Sequence, residues 1–215
     1  MKVKWLAHAA FLITSDQGTR IITDPYEAGG GLSYASIDEA ADIVTVSHDH
    51  ADHNNAAAVR ESPQVVKGAG VKEVKGIPFK GIPTYHDESQ GGQRGPNTIF
   101  CFAVDGMRLC HLGDLGHPLS KEQVSGIGEV DILFSPVGGF FTIDAPVAAQ
   151  LCDSLKPKVV IPMHFKTAKC AYPIADVEDF LKGRSDVNRL DASEVEFKRE
   201  NLPAATQTVV LKPAL

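Results

Sequence analysis

Apolar and polar residues alternate over short runs through the first half of the chain. "KVKWLA", "AAFLIT" and "TRIITD" are bounded by turn formers and too short for helices, so each predicts a strand. "DIVTVS" is a β-branched run of the kind that fills a buried strand. Further short strands are predicted around Val65–Lys67, Val71–Val74 and Lys80–Tyr85. Between them, Asn54 is placed to cap a helix over "NAAAVRES" that Pro63 would close. From His86 to Asn97, "HDESQGGQRGPN" is dense in turn formers and predicts a long exposed loop. "TIFCFAV" and "MRLCHL" then flank Asp105–Gly106 as the arms of a hairpin.

The second half changes rhythm. "VDILFSPV" predicts a strand, and "DAPVAAQLCDSL" a helix with Asp144 as its cap and Pro146 in its first turn. "PKVVIPM" predicts the next strand, and "IADVEDFLKG" a helix that stops at Gly183. "TQTVVLK" closes the chain as a strand. Hairpins followed by helical crossovers predict an α/β fold with two sheets faced by helices, a four-layer sandwich formed by residues 1–215 as one domain.

Composition narrows the function classes. A hydrophobic fraction of 43% and a charged fraction of 22% over 215 residues suit a sizeable core. A net charge of −6 leaves no basic stripe to offset phosphate repulsion, so no nucleic-acid partner is expected. No stretch approaches the ~20 apolar residues that span a bilayer. The start "MKVKWLAHAAFLITSDQG" contains His8 and a turn, and reads as a hairpin of the folded chain rather than a signal peptide. Cys101, Cys110, Cys152 and Cys170 form no CxxC pair and read as reduced thiols of a cytoplasmic protein.

The chemistry concentrates in "VSHDHADHNN". His48, His50, Asp52 and His53 crowd into six positions after an apolar run. Neutral imidazoles and a carboxylate are what divalent zinc, iron or manganese bind. In an extended loop His48 and His50 point the same way and can reach one ion, while Asp52 and His53 turn into the predicted helix toward a second. His86 follows "KGIPTY", His164 follows "KVVIPM", and Asp114 follows "RLCHL" within "GDLG". Each is an ionisable residue just past a strand end, where α/β folds place their sites.

With Asp24 of "IITDPY" ahead of them, "SHDHADH", "YHDES", "HLGDLG" and "IPMHF" stand in an order that resembles the metallo-β-lactamase superfamily over nearly the whole chain. "DILFSPVGGFFTIDA" and "LKPKVVIPMHFKT" are most similar to its small L-ascorbate-6-phosphate lactonase-like branch. The resemblance implies an αββα sandwich with a dinuclear metal site between the sheets. It implies that His48, His50 and His86 bind one ion, that Asp52, His53 and His164 bind the other, and that Asp114 bridges them. Asp24 would orient the ligand loop by hydrogen bonds. The implied cofactor is two divalent ions, zinc first, with manganese or iron open. The implied activity is hydrolysis of a small-molecule ester, lactone or amide by water made nucleophilic between the ions, with Asp52 relaying a proton.

Phosphodiester cleavage is the second reading, and no clamp domain for a nucleic-acid strand fits in this length. Redox relatives that are flavin-linked diiron proteins replace the second histidine with glutamate, whereas His50 is kept here. An iron-dependent sulfur oxygenase and a non-catalytic metal-binding protein are the remaining alternatives. His8 resembles a histidine near the site in this branch, though a structural role explains it equally well. His111, inside a strand, suits a structural role, and His117 is a candidate for substrate contact. Lys166, Lys169 and Arg94 could hold a phosphate or carboxylate, although ordinary solvated charge is the better explanation of all three. Oligomeric state is not legible.

Overall fold

The computed structural model describes residues 1–215. In chain order it contains β1 (Lys2–Ala7), β2 (Ala10–Thr14), β3 (Arg20–Thr23), β4 (Ile43–Val46), β5 (Gln64–Lys67), β6 (Gly70–Val74), β7 (Ile77–Tyr85), β8 (Pro96–Val104) and β9 (Met107–His111). Then follow α1 (Lys121–Ile127), β10 (Ile132–Pro136), α2 (Ala145–Leu155), β11 (Val159–Met163), α3 (Glu178–Leu181), β12 (Val187–Arg189), β13 (Glu194–Glu196) and β14 (Gln207–Val210).

These strands form two sheets, one in the order β13-β1-β2-β3-β4-β5 and the other β12-β14-β11-β10-β9-β8-β7-β6. Period-two alternation divides the side chains of the first sheet between its faces. Val3, Trp5, Phe11, Ile13, Ile21 and Ile43 enter a cluster of 44 buried residues shared with the second sheet. There the rings of Phe11 and Phe134 lie 4.6 Å apart. Leu6, Ile22, Val44 and Val46 point the other way, into a cluster of 14. Fully burying a side chain of this size stabilises by roughly 1.5–3 kcal/mol, so two occupied faces explain the near-continuous hydrophobicity of β4.

The α/β sandwich frame agrees with the expectation, but its outer layers are unequal. α2 buries Ala148, Leu151, Cys152 and Leu155 in the larger cluster, on the side of the second sheet. The outer face of the first sheet is covered mainly by irregular chain carrying Tyr26, Leu32, Tyr34 and Ile37. No helix is long and apolar enough to cross a membrane. The four cysteines are free, and Cys101 and Cys110 face each other across β8 and β9 with sulfurs 3.8 Å apart.

Three local expectations need correction. The helix expected after Asn54 is only a 3-10 turn over Ala56–Ala58, and Asn55 at its start makes no side-chain cap. Backbone bonds from Asn55 to Pro25 and between Arg60 and both Glu39 and Ala41 draw this segment into position for β5, leaving no length for a helix. Asn54 instead donates to Asp49. The helix expected over "IADVEDFLKG" is confined to Glu178–Leu181, because Ala175 is held extended by bonds with Gly138 and Lys166. α1 was not expected, although "SKEQ" carries its signal: Ser120 and Gln123 form a reciprocal capping box.

Strand directions align the site. β1 and β3 each run antiparallel to β2, and β3 is parallel to β4. In the second sheet β7 and β9 are each antiparallel to β8, and β9, β10 and β11 are parallel. The C-terminal ends of β1, β3 and β4 therefore share one edge of their sheet, and those of β7, β9 and β11 share one edge of theirs.

Candidate metal centre

β3 ends in Asp24, whose carboxylate organises the loop after β4. It accepts the Ser47 N–H and O–H at 2.8 and 2.5 Å, and His53 Nδ1–H at 3.0 Å. These contacts determine two tautomers. His53 gives its Nδ1 proton to Asp24, which leaves Nε2 bare. Ser47 has only one hydroxyl proton and spends it on Asp24, so it accepts from His48 Nδ1 at 2.9 Å, leaving His48 Nε2 bare as well. Both bare nitrogens are in the form that binds a cation.

The other strand ends bring their side chains to the same place. His86 follows β7, Asp114 follows β9 and His164 follows β11. Asp114 Oδ2 lies 3.1 Å from His53 Nε2, 3.3 Å from His86 Nε2, 3.2 Å from His164 Nε2 and 4.0 Å from His48 Nε2. His48 Nε2 and His50 Nδ1 are 3.0 Å apart. The Asp114 backbone N–H is held by Asn97, which also donates to Thr84 and to the Leu112 carbonyl.

Ligand-capable atoms form three groups: His48, His50 and His86; His8, Asp52, His53 and His164; and Asp24, His48 and His53, which overlaps both of the others. Asp114 touches members of all three. Five buried polar atoms here lack a hydrogen-bond partner: His8 Nδ1, His53 Nε2, His86 Nδ1, Asp114 Oδ1 and His164 Nδ1. An orphaned buried polar atom costs ~1–3 kcal/mol. A divalent cation at the centre would satisfy His53 Nε2, and the donor set of imidazoles and carboxylates fits one, whereas His86 and His164 turn Nε2 rather than the orphaned Nδ1 toward Asp114.

Electrostatics agree. Burial, reinforced by neighbouring imidazoles, pushes His48 down to about 3 and His8 down to about 4, so both are neutral at neutral pH. Burial also opposes the charge on His53 and Asp114, but attraction prevails: Asp114 raises His53, and His164 with His53 lowers Asp114.

The remaining candidates separate. His8, in the β1–β2 turn, was no more than an even candidate in the sequence; its Nε2 meets Asp52 Oδ2 at 3.2 Å and its ring lies 4.1 Å from that of His164. His111 uses Nε2 on the Ala9 carbonyl and Nδ1 on the Gly113 N–H, a structural role. His117 does not line the cavity at the centre: its ring engages the Tyr85 N–H and the Pro118 carbonyl. That cavity, about 280 Å³, is lined by His50, Asp52, His86, Asp114 and His164 together with Arg94, Phe141 and Tyr172. Sequence reading missed Tyr172, whose ring comes from an irregular segment.

A family model described as the beta-lactamase superfamily domain matches residues 2–164. A metal-dependent hydrolase of Carboxydothermus hydrogenoformans is 33% identical, over 86% of this chain and 93% of the relative. Another, from Thermococcus onnurineus, is 30% identical over 85% and 91%. A crystal structure from Thermotoga maritima, described as a hydrolase of the metallo-β-lactamase superfamily, is 36% identical, with a TM-score of 0.82 over 98% of this chain and 97% of that one.

Proposed function

The chain belongs to the metallo-β-lactamase superfamily, and from that premise we propose that it is a metal-dependent hydrolase of a small-molecule ester, lactone or amide. The observation that carries this reading is Asp114 Oδ2, within 3.1–3.3 Å of imidazole nitrogens from three separate segments. A carboxylate so surrounded suits a pair of cations bound side by side. His48, His50 and His86 would hold one ion, Asp52, His53 and His164 the other, and Asp114 is within reach of both. Zinc is favoured because the Thermotoga maritima relative is described as zinc-dependent.

Bound there, the ions would lower the pKa of water toward neutrality and polarise the oxygen of the bond under attack. The protein's own groups supply the rest. Asp24 holds His53 and, through Ser47, His48 in their ligand tautomers. His8 donates to Asp52 and fixes its carboxylate at the cavity wall. Asp52 is thereby positioned to accept the proton of the attacking water and return it to the leaving group. Phe141 and Tyr172 give the cavity aromatic walls, and its volume of about 280 Å³ favours a compact substrate over a polymer. The similarity of the strand-β10 and strand-β11 phrases to lactonase-like proteins favours a cyclic ester.

Elemental analysis of the untagged chain should find up to two divalent ions. A panel of lactones, thioesters and phosphodiesters should reveal lactone or ester hydrolysis that chelation abolishes and zinc or manganese restores. Undiminished hydrolysis after complete chelation would overturn the reading. Phosphodiester turnover without lactone cleavage would transfer it to phosphorus, and oxygen uptake by the iron-loaded chain on sulfur substrates would replace it altogether.

A further inference from the structure

Arg94 lines the same cavity as the metal-ligating candidates and also a neighbouring cavity of about 340 Å³, with His50 the other side chain common to both. We propose that Arg94 anchors an anionic substituent of the substrate, a carboxylate or phosphate monoester, beside the bond that is cleaved. This rests on the hydrolase reading and names the substrate class within it.

Four observations point to an anion. First, Arg20, Arg60, Arg108, Arg184 and Arg189 each pair with a carboxylate, whereas Arg94 and Arg199 have none within 4.0 Å, and of these two only Arg94 lines the cavity. Its five N–H donors have no protein acceptor. Secondly, the guanidinium stands beside a site suited to cations, where its charge weakens their binding. A negative group between them would turn that repulsion into two attractions.

Thirdly, the side chain is positioned rather than loose. The guanidinium lies over the Phe141 ring, 5.6 Å from its centroid, a contact that occupies none of its N–H donors and leaves them for an oxyanion. The loop itself is tied to one buried carboxylate: Asp87 accepts backbone N–H groups of Ser89, Gly91, Gln93 and Arg94 at 2.7–3.0 Å. His86 and Arg94 therefore belong to one rigid unit, with the candidate ligand at its start and the cation near its end. Fourthly, the competing cations are engaged or remote. Lys166 donates to the Tyr172 carbonyl at 2.6 Å, Lys67 pairs with Asp49, and Lys169 lines neither cavity.

The test uses the metal-loaded full chain and three γ-butyrolactones differing in one substituent: a carboxylate, its methyl ester, and a phosphorylated hydroxymethyl group. Wild type should favour a charged lactone over the methyl ester in kcat/KM. Arg94→Gln should cut that preference about 10- to 100-fold, chiefly through KM, and Arg94→Lys should retain part of it. Whichever charged lactone loses more identifies the anion. An unchanged preference in Arg94→Gln overturns the proposal. Should the loaded wild type cleave none of the three, the lactonase reading fails separately. The anchor is then judged by calorimetric titration of the carboxylate lactone into both proteins: a tenfold tighter wild type supports it, and equal affinity overturns it.

Discussion

His8, Asp24 and His164 hold φ angles of 53°, 37° and 49°, a region that side chains other than glycine seldom occupy. Each lies just past a strand, and each turns a polar group inward where the extended path would carry it away. That strain costs of order 1–3 kcal/mol per residue and persists because the surrounding hydrogen bonds over-determine it. A quieter residue shows the opposite case. Asp131 accepts from Arg108 N, Nε and Nη2 at 2.8, 2.9 and 3.0 Å, and these side-chain bonds hold its carboxyl below the ordinary range although burial works against them. With the folded value depressed, the contribution is complete above the unfolded value near ~3.9 and is lost as the pH falls through the folded one. Asp131→Asn should therefore cost about 1–3 kcal/mol at pH 7, with the deficit shrinking below about pH 4. Urea unfolding of chelated wild type and variant at both pH values checks this, and an equal deficit at each would refute it.

At the scale of elements, the loops of the site pack backbone against backbone. A methyl group on Gly116 would lie inside the backbone of His86 and Asp87, and one on Gly138 would strike the His164 carbonyl. Gly116→Ala must push the Asp114 loop away from the His86 loop. It should cost about 1–3 kcal/mol and lower metal occupancy, measured by denaturant unfolding and elemental analysis. Gly126, inside α1, provides the contrast: an added methyl meets nothing nearer than Ile82 at 4.0 Å. Gly126→Ala should stabilise by about 0.4–1 kcal/mol, because it restricts the unfolded chain without straining the folded one. These glycines look alike in sequence, since close approach between distant loops leaves no local pattern.

For the whole molecule, a cation would join strand ends from both sheets, so its binding free energy would add to the stability of the sandwich. At a free concentration 100 times Kd it should contribute about 2.7 kcal/mol and raise Tm by about 5–10 °C in a chain of this size. A thermal scan before and after chelation measures the effect, and coincident transitions would argue against ions that bridge the sheets.

Much of this was legible in the chain. The alternation of "KVKWLA" and "TRIITD" predicts strands because burying one face of a strand requires a period of two. His48, His50, Asp52 and His53 stand out because polar donors packed after an apolar strand have no structural use for one another. The short α3, the missing helix after Asn54 and the pairing of β13 with β1 were not legible, for they depend on partners far away in sequence. The same holds for the company Arg94 keeps. Composition made it an ordinary surface charge, and only the folding of the 86–95 loop against Phe141 gave it a cavity to face. The chain's local pattern thus determined which elements form and which residues can bind a cation. Tertiary structure alone decided which of them meet, because directional hydrogen bonds and close backbone contacts between distant segments select one arrangement among many compatible with the same pattern.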